Sequence, residues 1–126
     1  MSSTPTSCGC SCSSGPNLIF SCSGAADVGE LADRAARKLT KTGMGKMFCL
    51  AGIVGRVSGL VTATEAASPI LTIYGCAQEC ARSHWKLQVL KKVNHLILSD
   101  HGFEKGHTEV TQESIDNVIG QARKVL

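Results

Sequence analysis

Aromatic side chains are scarce in this chain, which has three Phe, one Tyr and one Trp, 4% of 126 residues. So few rings offer no platform on which bases could stack. Charge of either sign is also modest: the net charge is +3 and the basic residues are spread along the chain. No phosphate-tracking patch is visible, so nucleic acid is not an expected partner. Long apolar runs are missing too, and none approaches the roughly 20 residues needed to cross a bilayer. The opening MSSTPTSCGCSCSSGPN lacks both a basic region and an apolar core, so no secretion signal is expected there. These absences leave a cytoplasmic, reducing compartment with no membrane association as the expectation.

Cysteine, by contrast, is abundant, with seven in the chain. Structural disulfides are rare in a reducing compartment and the count is odd, so metal or thiol chemistry is the expectation. The length fits one domain with a real hydrophobic core.

Residues 1–17 are rich in Ser, Thr, Gly, Pro and Cys without apolar periodicity. They read as a flexible tail, in which Cys8, Cys10 and Cys12 are closely spaced soft ligands suited to capturing a metal. Residues 18–126 read as one α/β domain. Leu18 to Ser21 is a short apolar strand ending at Cys22, followed by a helix with Val28, Leu31, Ala32, Ala35 and Leu39 on one face. Asp27 and Glu30 in its first turn and Arg37, Lys38 and Lys41 in its last suit the helix dipole, and Gly43 ends it. A second strand, Lys46 to Leu50, carries Cys49. The glycines of AGIVGRVSG match neither a dinucleotide fingerprint nor a phosphate loop, and read as close packing of a short helix. Pro69 precedes a third strand, Ile70 to Ile73. Gly75 then delivers Cys76 into a helix carrying Cys80, His84 and Trp85. A fourth strand spans Asn94 to Leu98, and Thr111 is a cap for a last helix with Ile115, Val118, Ile119 and Ala122 on its apolar stripe. The alternation predicts a four-stranded parallel sheet with helices on both faces, a three-layer fold of the Rossmann or flavodoxin type.

Ligand sites of open parallel sheets form outside the carboxyl ends of the strands. Cys22, Cys49 and Cys76 each fall at or just past such an end, and Cys80 lies one helical turn beyond Cys76. All four are therefore expected at one edge, although free cysteine also serves as a small core residue, a role for which Cys49 is the best candidate. Four converging thiolates suit zinc in a tetrahedral site, and iron and sulfur are the alternative occupants. His84 lies two turns from Cys76, about 12 Å along a helix, too far to share one ion with Cys76 and Cys80. Asp100 and His101 follow the fourth strand and are candidates for an outer group or an open-site ligand.

Two other chemistries fit part of the same stretch. Cys76 to Ser83 satisfies C-x5-R-S, in which Cys76 would be a nucleophile and Arg82 would hold an oxyanion, as in cysteine phosphatases and arsenate reductases. The intervening AQECA favours immediate helix over a glycine-dependent phosphate loop. Cys76 and Cys80 also fit a thiol redox or sulfur-carrying pair, although their spacing is C-x3-C and not the C-x2-C of thioredoxins. The residues identify no protein partner and no oligomeric state, and they leave open whether the protein is an enzyme.

With CSGAADVGELADRAARKL, GKMFCLAGI and GCAQECAR on the page, the chain resembles the DGC-domain family of zinc-binding proteins from about Leu18 to the C-terminus. The resemblance implies four cysteine ligands, which by motif are Cys22, Cys49, Cys76 and Cys80, and it implies no reaction. The namesake Asp-Gly-Cys is Tyr74, Gly75, Cys76 here, and the proline common after that cysteine is Ala77. The family carboxylate is therefore missing while the thiols remain.

Overall fold

The computed structural model describes residues 17–67, 69–76 and 93–126. Strand β1, Leu18–Ser21, is buried along its whole length. Strand β2 is only Lys46–Met47, β3 is Ile70–Tyr74 and again wholly buried, and β4 is Val93–Ile97. All pairings are parallel, in the order β2-β1-β3-β4. The two central strands read as continuous apolar runs because a parallel sheet is covered on both faces.

The alternation of side chains sorts the core into two layers. Ile19, Leu71, Ile73 and Leu96 pack with Leu31, Ala35 and Leu39 of helix α1, Asp27–Lys41. Ile115, Val118 and Ala122 of the C-terminal helix, Gln112–Arg123, join the same layer. Leu18, Phe20, Ile70 and Tyr74 face the other way, onto Ile53 of α2, Leu50–Val54, and Leu60 of α3, Ser58–Ala66. In chain order the C-terminal helix is α4. The chain steps from β1 to β2 in one direction and from β2 back past β1 to β3 in the other. The helices of these two connections lie on opposite faces, as two crossovers of the same hand require.

α4 begins where the sequence indicated. The Thr111 hydroxyl accepts from Ser114 N–H at 3.1 Å, and the Ser114 hydroxyl accepts from Thr111 N–H at 2.8 Å, which closes a capping box. α1 has no such cap at Ala26.

Three boundaries differ from the sequence reading. The second strand stops at Met47, and Cys49 precedes the first turn of α2 with extended backbone, φ −87° and ψ 109°. The fourth strand stops at Ile97, and Leu98–His101 forms a 3-10 turn. The AGIVGRVSG segment makes two short helices where one was expected. α2 ends in a Schellman turn, with Val57 N–H on the Gly52 carbonyl at 2.9 Å and Arg56 N–H on the Ile53 carbonyl at 3.0 Å. Arg56 occupies its left-handed position at φ 59°. Gly52 allows the chain to double back, since a Cβ there would overlap the Leu60 side chain of α3.

The expected tail, with Cys8, Cys10 and Cys12, and the expected helix after Cys76, with Cys80, Arg82, His84 and Trp85, lie outside the described residues.

Candidate functional site: a thiol-bearing sheet edge

Register fixes the level of the three described cysteines. Ser21 pairs with Ile73, and Cys22 N–H donates to the Ile73 carbonyl at 2.9 Å, so Cys22 continues β1 by one residue. Ile19 pairs with Met47, and Phe48 N–H donates to the Ile19 carbonyl at 2.9 Å. Continuing both registers puts Cys49 level with Ser21, and Cys76 two residues beyond the strand residue that faces Cys22. Three adjacent strands, β2, β1 and β3, thus each end in a thiol at the same edge. The order β2-β1-β3-β4 places the reversal of strand order between β1 and β3, where open α/β sheets form their crevice.

Two cavities open at this edge, and Cys22 belongs to both. One, about 440 Å³, is lined by Cys22 and Cys76, by the loop Ser23–Ala26 and by Lys105. The other, about 430 Å³, is lined by Cys22 and Cys49 together with Phe48, Asp33 and Val54. Cys22 and Cys76 are half-buried and Cys49 is exposed. Exposure removes the packing role for Cys49.

The walls of the first cavity are held by close backbone packing. A Cβ on Gly75 would lie 2.7 Å from Val28 Cγ2 and 2.9 Å from the Val28 carbonyl carbon, so only glycine lets the turn before Cys76 sit against α1. A Cβ on Gly29 would lie 2.9 Å from the Gly24 nitrogen, so the loop after Cys22 is seated on the same helix. Beneath the turn, buried Tyr74 places its hydroxyl 2.8 Å from His95 Nδ1, and the two rings stack at 5.5 Å. Tyr74 is the residue at the family's aspartate position. Here it ties β3 to β4, and by register it lies level with Cys22, which packs against the same buried cluster.

The outer rim comes from the turn after β4. The Asp27 carboxylate, in the first turn of α1, accepts from Gly106 N–H and from Thr108 N–H, each at 2.9 Å. These two amides, Gly106 first, hold the Asp27 carboxyl below its usual range. Lys105 is thereby held at the mouth of the Cys22–Cys76 cavity.

Asp100 and His101, expected near the thiols, are exposed on the 3-10 turn and line neither cavity. Lys105 and Asp33, which do, carry no sequence signal: one sits in a polar loop and the other on the polar face of α1. Asp33 takes a 2.6 Å ion pair from Arg37.

The donor chemistry fits a soft or borderline metal, since three cysteine sulfurs share one edge. Among the described residues no three His, Cys, Asp or Glu side chains come close enough to hold an ion together. The remaining expected ligand, Cys80, lies outside the described residues.

Fold and edge together define a class: an open α/β domain of flavodoxin-like strand order whose crevice is dressed with cysteines. Residues 18–122 match the model of the DGC domain, and the chain belongs to that family. It is 34% identical over 92 residues, 73% of this chain and 70% of the relative, to the anaerobic and virulence modulator AnvM of Pseudomonas aeruginosa. No solved structure matches the chain. Among the described residues no helix is long and apolar enough to cross a membrane.

Proposed function

We propose that this DGC-domain protein binds a metal ion, zinc by preference, through Cys22, Cys49, Cys76 and Cys80. The observation that supports it is the placement of Cys22 between two cavities, one shared with Cys76 and one with Cys49, at the ends of three adjacent strands. Cys22 is then the common ligand. Cys80, one turn beyond Cys76 in the expected helix, supplies the fourth sulfur. Four thiolates favour zinc over harder cations, and iron with sulfide is the other occupant such ligands accept. Of the three described thiols Cys49 is held least firmly, between a two-residue strand and a five-residue helix. Binding therefore draws chiefly on that corner closing toward Cys22.

Four sulfurs leave no open position for a substrate, so the reading is a binding role without turnover. The relative's name, which describes a modulator and no reaction, is in keeping with this. Thiolate ligands also require a reducing compartment, which for this chain we take to be the cytoplasm.

Metal analysis of protein purified without added zinc tests the proposal. Wild type should carry close to one zinc per chain, and Cys22→Ser, Cys76→Ser and Cys80→Ser should each lose most of it. Near-stoichiometric metal that survives Cys76→Ser or Cys80→Ser would refute the ligand assignment.

A further inference from the structure

We infer that Lys105 is part of the thiol site, as the cation that offsets the negative charge of a metal–thiolate centre at Cys22 and Cys76. The inference rests on the metal reading above and adds to it a residue outside the cysteine motif.

Three observations converge on Lys105. It lines the same cavity as Cys22 and Cys76, although it follows the last strand of the sheet and they follow β1 and β3. The turn that carries it is fixed. Gly106 and Thr108 N–H donate to Asp27, the Thr108 hydroxyl donates to the Glu104 carbonyl at 2.7 Å, and Gly106 takes φ +88°, a conformation that favours glycine. The anchor, Asp27, belongs to the helical turn whose neighbours Ala25, Ala26, Val28 and Gly29 line the cavity, so Lys105 and the thiol loop share one support. Finally, its charge is uncommitted. The Asp27 carboxylate is occupied by backbone amides, and among the described residues Lys105 makes no ion pair, whereas Arg34, Arg37 and Lys38 all do.

Zinc bound by four thiolates carries a net charge of about −2, and the thiolates repel one another. An ammonium at the cavity mouth lowers that repulsion and favours the bound state. A compact charge on a flexible stem can follow the sulfurs as they close, and it requires no planar partner. Groups outside the first coordination sphere typically change metal affinity about 10- to 100-fold. Lys105 is exposed and partly screened by water, so about three- to tenfold is expected.

The test is a zinc competition titration of the reduced full-length chain against a chromophoric chelator, at low and at high salt. Lys105→Met should weaken zinc binding about three- to tenfold at low salt, and the deficit should shrink at high salt as screening grows. Lys105→Arg should bind as wild type does. Lys38→Met, which removes a charge that is paired with Asp116 of α4 and lines neither thiol cavity, should not differ from wild type. Wild type that binds no zinc removes the metal reading itself. Wild type that binds zinc while Lys105→Met binds it equally at low salt overturns the inference alone, as does Lys105→Arg falling as far as Lys105→Met.

Discussion

At the scale of single residues, Asp27 does more than sit favourably at a helix N-terminus. Its two oxygens take separate backbone amides from a turn that follows the last strand, and a third contact, Val28 N–H at 2.8 Å, closes on its own helix. The carboxylate form makes these bonds, so its pKa is lower folded than unfolded. Stability from this group is fully present above the unfolded value, near 3.8, and is lost as pH falls through the lower folded value. Asp116 behaves in the same direction, because the Lys38 ammonium donates to it at 2.6 Å. Asp27→Asn should therefore melt at a lower temperature than wild type at neutral pH, and the gap should narrow below about pH 4. Thermal melts of both proteins across acid pH check this; a gap that stays constant would show that the contribution is not that of the charged form.

Among the elements, the contact that decides where Cys76 goes is the one between α1 and the end of β3. It is a backbone contact, since Gly75 lies under Val28 with no room for a methyl group. Gly75→Ala must push α1 or the turn aside, at about 1–3 kcal/mol. Trimming Val28 in Gly75→Ala/Val28→Ala should not restore stability, because the Val28 carbonyl carbon would still lie 2.9 Å from the new Cβ. Chemical denaturation of the single and double variants checks both statements. A Gly75→Ala midpoint equal to wild type would mean that the helix is free to move, and with it the wall of the thiol cavity. The β2–α2 corner is the opposite case: two strand residues and five helical ones carry Cys49, and Ile53 is the buried anchor of the short helix.

For the whole molecule, the sheet divides labour. Among the described residues the α1 and α4 layer holds the larger buried cluster, and on the α2 and α3 side Val54 and Val57 are more than half exposed. The thiol edge spans both layers, because its cavities are walled by α1 on one side and by the β2–α2 corner on the other. A metal that joins Cys22, Cys49 and Cys76 would therefore stabilise the fold as a unit. With free zinc at 100 times its dissociation constant, linkage gives about 2.7 kcal/mol. For a domain of this size that is a rise of about 10 °C in Tm. Calorimetry of the reduced protein with and without zinc should show it, and a chelator should reverse it; a Tm indifferent to zinc would leave the cysteines without this role.

The sequence by itself determined the strands, the described helices that bury a regular face and the edge at which Cys22, Cys49 and Cys76 follow their strands. Those features follow from periodicity and from where apolar runs stop, and both are local. LIF and ILTIY announce central parallel strands because both of their faces are covered, and Val28, Leu31, Ala35 and Leu39 announce α1 because they repeat with the helical turn. The tertiary structure decided what no local pattern carries. The strand order, and with it the crevice between β1 and β3, depends on which edge each crossover chooses. The exposure of Cys49 depends on β2 stopping three residues early, at Met47. Lys105 lines the Cys22–Cys76 cavity on a loop that Asp27 binds 79 and 81 residues away in sequence, a contact that spacing within a motif cannot express. Asp100 and His101 sit exposed on the 3-10 turn after β4 and line neither thiol cavity. Elements are legible where the side-chain period reports burial; the site is assembled by contacts between segments distant in sequence, and only the folded chain brings those together.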